Sequence, residues 1–94
     1  MTVDANARLA ANDNVLTRRV KDELVLLHTV TEVYFGLDPV GTAMWEALCE
    51  RGTIAGAHAA LATEYDVEPK RLLTDMHALV DQLVEKGLLT VVSD

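Results

Sequence analysis

The fold of this chain is decided by one stretch, Thr31-Glu32-Val33-Tyr34-Phe35-Gly36-Leu37-Asp38-Pro39-Val40-Gly41-Thr42-Ala43-Met44-Trp45. Its run Val33–Phe35 favours an extended strand, since β-branched and aromatic side chains pack well on a pleated surface. Asp38 then suits the N-cap of a helix and Pro39 its first residue, because a carboxylate accepts from the unpaired N–H groups there and proline lacks one of them. Three of the four aromatic residues lie within the stretch. It therefore predicts a strand that leads directly into a helix and carries most of the large core side chains.

Two further strands are predicted before this junction. The runs Val15–Val20 and Glu23–His28 flank Lys21-Asp22, which fits a two-residue hairpin turn. Leu24–Leu27 is continuously apolar, which is typical of a strand covered on both faces. With Glu32–Leu37 as the third strand, the pattern predicts an antiparallel meander. Residues 1–13 are expected to form a flexible N-terminal tail, and residues 14–94 the folded domain.

Three helices are predicted after the meander, each with a start or stop signal. Their expected spans are Pro39–Arg51 before Gly52, Ile54 to about Glu64 after Thr53, and Pro69 to about Lys86 before Gly87. Leu88–Val92 follows as a final strand or extended tail. The order of elements predicts an α+β fold, a winged helix-turn-helix in which a three-stranded antiparallel meander precedes three helices.

Size and charge limit the possible partners. A chain of 94 residues is expected to form one domain with a single modest core. It has 8 basic and 15 acidic residues, a net charge of −7, whereas nucleic-acid binding depends on basic groups that neutralise phosphates. No apolar run approaches the roughly 20 residues of a membrane helix. The single cysteine and the absence of a secretory signal predict a cytoplasmic protein. The acidic charge and the lack of a membrane helix predict no nucleic-acid and no membrane partner.

The candidates for chemistry fit no catalytic or metal pattern. His28, His58 and His77 stand far apart, and Cys49 has no second cysteine at a zinc-binding spacing. Cys49 is expected to be a small hydrophobe packed near Trp45. We therefore predict no enzyme activity, no metal and no cofactor.

The third helix leaves two interpretations open. Its apolar residues span an arc of roughly 140° at helical spacing, and they are Leu72, Leu73, Met76, Leu79, Val80, Leu83 and Val84. Such an arc is typical of a helix embedded in a small core. Alternatively, one margin of the arc lines a groove. Arg71 and Asp75 lie on one flank, where they would form either an ion pair or the polar rim of that groove.

The edge of the third strand offers a way to bind a peptide. The run Glu32–Leu37 contains no proline and no lysine, so its unpaired N–H and C=O groups could accept an added strand. A neighbouring apolar helix would supply pockets for alternate side chains. The pattern equally permits an edge that is covered and binds nothing.

The ordered motifs of the chain resemble those of PqqD-like proteins. The resemblance rests on Tyr34–Gly41 followed by Trp45–Leu48, with Asp38 where asparagine is commoner. It continues through Thr53-Ile54, Leu61-Ala62 and Glu64–Val67, and then through Pro69, Asp75, Leu79, Leu83 and Gly87–Leu89. It covers about residues 15–92.

The resemblance implies a recognition element that binds the leader of a ribosomally made precursor peptide as an added strand between the third strand and the third helix. It is most similar to stand-alone members of lasso-peptide pathways. The implied partners are the leader peptide and a leader peptidase, a transglutaminase-like cysteine protease, with a cyclase acting afterwards. The implied leader-binding residues are Glu32, Val33, Tyr34 and Phe35 on the strand, Leu72, Met76 and Leu79 in the apolar wall, and Arg71 and Asp75 at the rim.

Three other functions remain open at this point. PqqD proper is similar, so the protein could be a peptide chaperone for a radical SAM maturation enzyme. The winged-helix order would also fit a DNA-binding regulator, against which the charge of −7 argues. An apolar groove could instead serve homodimerisation.

Overall fold

The computed structural model describes residues 3–92. Within these residues the elements follow the order β1 (Leu9–Ala11), β2 (Val15–Val20), β3 (Glu23–His28), β4 (Tyr34–Leu37), α1 (Pro39–Arg51), α2 (Ile54–Glu64), α3 (Pro69–Glu85) and β5 (Leu89–Val91). Strands β2, β3 and β4 form an antiparallel meander, with Leu16 opposite Leu27 and Leu26 opposite Phe35. The predicted α+β order of a three-stranded meander and then three helices is confirmed.

The third strand begins later than the sequence predicts. Glu32 has a φ of 62°, and its N–H donates to the His28 carbonyl at 2.8 Å. The N–H groups of Val30 and Thr31 both donate to His28 Nδ1, at 3.2 and 3.1 Å. These bonds close a turn over residues 28–32, so β4 starts only at Tyr34.

The predicted helix ends are found where the sequence places them. The Asp38 carboxylate accepts from the Gly41 N–H at 2.7 Å, and Pro39 opens α1. Gly52 ends α1 with a φ of 79°, a conformation that glycine adopts without steric cost. Thr53 caps α2 by accepting from the Gly56 N–H.

The core lies between one face of the meander and the three helices. Leu24, Leu26 and Leu37 from the sheet join Trp45 and Leu48 of α1 in this cluster. From α3 the buried residues are Leu72, Met76, Val80 and Leu83. Thr42 ties α1 to the sheet, since its Oγ1 accepts from the Leu24 N–H at 3.0 Å and donates to the Leu37 carbonyl at 3.3 Å.

The outer face of the meander is not covered, contrary to the expectation for β3. Residues along β3 alternate between buried and less buried positions, so Val25 and Leu27 point to the outer face and are only partly buried. No helix in the described part of the chain is both long and apolar enough to cross a membrane.

Residues 1–13 were expected to form a flexible tail, and the described part of that range contains a strand and packs on the core; Met1 and Thr2 lie outside the described residues. Leu9–Ala11 pairs antiparallel with β5, with Leu9 opposite Val91. Val3 is buried, and its N–H donates to Asp81 Oδ1 at 3.2 Å. The apolar Val3 and Leu9 gain burial by packing on the core, and β5 supplies partners for the main-chain groups of β1.

Candidate peptide-binding site

The direction of the main-chain groups along β4 follows from two main-chain hydrogen bonds made by the end of β3. The His28 N–H donates to the Val33 carbonyl at 2.9 Å, and the Thr29 N–H donates to the Asn14 carbonyl at 2.8 Å. In an antiparallel ladder, successive residues direct their N–H and C=O groups to opposite sides. Val33 and Phe35 therefore direct their N–H and C=O groups toward β3, whereas Tyr34 and Gly36 direct theirs toward the free edge.

The free edge of β4 has the properties of a surface that can accept a strand. Within residues 3–92, β4 pairs only with β3. None of its four residues is charged or a proline, the features by which proteins usually protect an edge. A Cβ atom placed on Gly36 would meet no atom within 4 Å. Tyr34 and Gly36 are both exposed, and the space on the outer face at Gly36 is empty as well.

Helix α3 has two margins beside its buried stripe, and they differ in what covers them. Leu79 and Leu73 are partly buried residues on opposite margins, packed against the core. Asp81, on the Leu73 side, accepts the bond from Val3, so the N-terminal segment lies against that side. Gly87, just after α3, lies beside the His28 ring, with its Cβ position 3.7 Å from Cδ2. The end of α3 is therefore next to the turn that leads into β4.

The structure separates the residues that the sequence assigned to the apolar wall. Met76 is 0% exposed and Leu72 is 5% exposed, so both belong to the core and offer almost no surface to a ligand. Leu79 is only partly buried and can form such a wall. An arc of apolar residues at helical spacing does not show which of its members face the core.

The remaining predicted residues fall into two groups. Phe35 is partly buried on the core face, opposite Leu26, whereas Tyr34 is 69% exposed and lies on the outer face. Glu32 and Val33 belong to the turn and its exit, and the Val33 carbonyl is already bonded to His28.

Arg71 and Asp75 are both exposed on α3. The ion pair that the sequence allowed between them does not form, since no salt bridge in the described residues joins them. Both charged groups therefore remain on the helix surface, where a rim would need them.

His28 has a structural role that the sequence argument, which weighed it only as a metal ligand, did not predict. It is buried, and its Nδ1 accepts two main-chain N–H groups of the turn before β4. The alternation along Glu23–His28 places it on the same face as Leu24 and Leu26, and from this pattern its burial could have been predicted. It fixes the point at which the free edge begins.

The candidates for chemistry, the three histidines and Cys49, are not brought together as a metal site in the described residues. Nor do any three His, Cys, Asp or Glu side chains within residues 3–92 come together as one. Cys49 is exposed beside Trp45, not buried as expected. Partial burial of the thiol raises the pKa of Cys49, and the nearby Glu46 carboxylate raises it further. Its nucleophilic thiolate form is thus disfavoured.

Fold and site together define a class, a small winged-helix-like domain with an open strand edge and an amphipathic third helix. The chain belongs to the PqqD family: the family model described as coenzyme PQQ synthesis protein D matches residues 23–89. That range contains β3, β4 and all three helices, and so includes the whole candidate site.

Two solved structures are similar over nearly the whole chain. TbiB1 in complex with the TbiA(beta) leader peptide is 34% identical, with a TM-score of 0.81 over 90% of this chain and 99% of that chain. A lasso peptide synthetase B1 complexed with the leader peptide shares the fold, with 24% identity and a TM-score of 0.78 over 89% of this chain and 99% of that one. A search of curated protein sequences gave no match.

Proposed function

We propose that this protein binds the leader of a ribosomally made precursor peptide and presents it to a leader peptidase in lasso-peptide biosynthesis. The observation that carries the proposal is the free edge of β4, where Tyr34 and Gly36 direct their main-chain groups outward. The 34% identity to TbiB1, solved with a leader peptide, supports the choice of ligand.

The leader adds to β4 as a further antiparallel strand in this proposal. Its main chain exchanges hydrogen bonds with Tyr34 and Gly36, which provide affinity without reading sequence. Glu32 and Val33 flank the start of this edge, and Phe35 contributes its side chain and not its main chain. The expectation that Val33 donates to the leader is replaced, because its pair with His28 directs it to β3.

Sequence preference comes from side chains on the helix side of the leader. A strand places alternate side chains on one face, and we place Leu79 and Phe35 opposite those of the leader. The N-terminal segment lies on the other side of α3, which leaves the Leu79 margin for the ligand. Ordering a disordered leader costs about 2–5 kcal/mol, so these apolar contacts must exceed that cost. Arg71 and Asp75 would interact with charged side chains of the leader at the rim of the groove.

The protein performs no bond chemistry in this proposal. It raises the local concentration of the leader at the peptidase and fixes its orientation. The uncovered outer face of the sheet is the surface we assign to the peptidase, since Leu16 is 60% and Tyr34 69% exposed there. With Val25 and Leu27 they line a pocket of about 390 Å³. Tyr34 belongs to both surfaces, so a docked peptidase would lie beside the bound leader.

A cytoplasmic location remains a prediction, consistent with a single free cysteine. A PqqD-type role beside a radical SAM enzyme would use the same edge, and the partner enzyme alone would distinguish it. A DNA-binding role is disfavoured by charge. Between Glu68 and Lys86 there are three basic and four acidic residues, a net charge of −1 on the helix that would enter the groove.

The test is a titration of this protein into a fluorescent synthetic leader, taken from a precursor gene adjacent to its own. Unlabelled duplex DNA at low salt serves as the competitor. Saturable leader binding that duplex does not displace is the expected result. Binding to the duplex, with none to the leader, would overturn the proposal in favour of a DNA-binding regulator.

The peptidase surface needs a separate test, because leader binding does not depend on it. Leu16→Glu should slow leader removal by the peptidase without changing leader affinity. Val67→Glu is the matched control, since Val67 is 48% exposed in the connection between α2 and α3, away from the sheet. Equal cleavage rates for the two variants would remove the outer face from the proposal.

A further inference from the structure

The meander has a second free edge, on β2. Within the described chain no strand pairs with β2 other than β3. The bond from the Thr29 N–H to the Asn14 carbonyl fixes the alternation on this side. The even-numbered residues of β2 therefore direct their N–H and C=O groups toward β3. Thr17 and Arg19 direct theirs outward. Both residues are exposed.

A cleft of about 660 Å³ lies beneath this edge, between β2 and α1. Leu24 and Trp45 lie at its base, and Glu46, Cys49 and Glu50 of α1 form its far wall. The two walls are held together by Thr42, which bonds the Leu24 main chain. A chain that adds to the β2 edge would therefore find a preformed wall of side chains beside it.

The charges of the cleft favour a basic ligand. Arg19 Nη2 lies 2.7 Å from Glu46 Oε2, so these two charges neutralise each other. Glu50 follows one turn later on α1, and no ion pair or hydrogen bond in residues 3–92 uses its carboxylate. The net charge of the lining is −1, from one arginine and two glutamates.

We propose that the β2 edge and this cleft form a second peptide site, separate from the leader site, for an extended segment that carries a lysine or arginine. The segment adds to Thr17 and Arg19 as a strand, and its basic side chain passes Cys49 to pair with Glu50. The main-chain pattern requires an extended peptide, and the charge of the cleft selects a basic one. In this proposal the two edge strands of one sheet bind two different peptides.

The test uses two capped heptapeptides of alternating valine and threonine, one with lysine and one with glutamate at the central position. Each is titrated into the 15N-labelled full chain while amide signals are followed. We expect the lysine peptide to shift Thr17 and Arg19 saturably and to leave Tyr34 and Gly36 unchanged. The glutamate peptide should bind about threefold to fivefold more weakly, the effect of one exposed ion pair.

Three variants make the result specific. Thr17→Pro removes an outward N–H and should abolish saturation by the lysine peptide, while Gly36→Pro should leave it intact. Glu50→Gln should reduce the preference for lysine over glutamate. The proposal is overturned if the lysine peptide shifts Tyr34 and Gly36 instead, if both peptides bind equally, or if neither saturates at millimolar concentration. Melting temperatures of the variants show that each is folded.

Discussion

The two free edges of the meander offer the same backbone chemistry but different surroundings. Both direct main-chain groups outward, at Tyr34 and Gly36 on β4 and at Thr17 and Arg19 on β2. The β4 edge has no charged residue, and we place the apolar margin of α3 beside it. The β2 edge carries Arg19 in an ion pair and lies over an acidic wall. Main-chain hydrogen bonds to an added strand do not depend on its sequence. The side chains beside each edge must therefore determine which peptide binds there.

The largest expected effect concerns the buried stripe of α3. Met76→Ala should lower the free energy of unfolding by about 2–5 kcal/mol, because it leaves a cavity at a residue with no exposed surface. Urea denaturation measures the loss. If the free energy of unfolding falls by less than about 1 kcal/mol and leader binding weakens, Met76 lines the groove and is not a core residue.

The second prediction breaks the β4 edge alone. Gly36→Pro removes an outward N–H and places a ring where the leader would lie, without removing a bond to β3. Leader affinity should fall at least about thirtyfold, equivalent to about 2 kcal/mol. Fluorescence anisotropy with a labelled leader measures this.

Two controls isolate the cause of that loss. Gly36→Ala keeps the N–H and meets no neighbouring atom, so it should bind the leader normally. Thr17→Pro makes the same backbone change on the β2 edge and should also bind normally. An equal loss in Thr17→Pro would show that the leader does not distinguish the two edges.

The third prediction tests the margin of α3 that we place beside the leader. Leu79→Ala should weaken leader binding by about tenfold, or about 1.4 kcal/mol, since it removes part of an apolar contact. Leu73→Ala is the matched control, because it truncates an equally partly buried leucine on the opposite margin. The same affinity titration compares the two, and a larger loss in Leu73→Ala would place the leader on the wrong side of the helix.

The smallest effect is a pH dependence at the β2 edge. Since partial burial and Glu46 raise the pKa of Cys49, the rate of its alkylation should reach half its maximum at a higher pH than for free cysteine. Glu46→Gln removes a negative charge and should move that midpoint to lower pH. Iodoacetamide labelling followed by mass spectrometry measures both, and saturating leader should leave the rates unchanged. Protection of Cys49 by the leader would place the leader at the β2 edge.

Local signals in the sequence account for most of the fold. Asp38-Pro39, Gly52 and Thr53 mark helix ends through bonds made within a few residues, and these bonds are present in the structure. The start of β4 was misplaced because the His28 turn depends on a ring that reaches back to Val30 and Thr31. The N-terminal segment was misjudged because Leu9 pairs with Val91, a contact across 82 positions that no local pattern shows.

The sequence by itself determined the order of strands and helices, the helix caps, the acidic charge and the likeness to a leader-binding family. Each of these depends on neighbouring residues, on composition or on an ordered set of motifs. Only the tertiary structure decided that the main-chain groups of Tyr34 and Gly36 face the free edge and that Met76 is buried in the core while Leu79 lies on its margin. It also decided that β2 is the second open edge of the sheet. Those properties depend on strand register and on what packs against each face, and both are set by contacts between residues far apart in the chain.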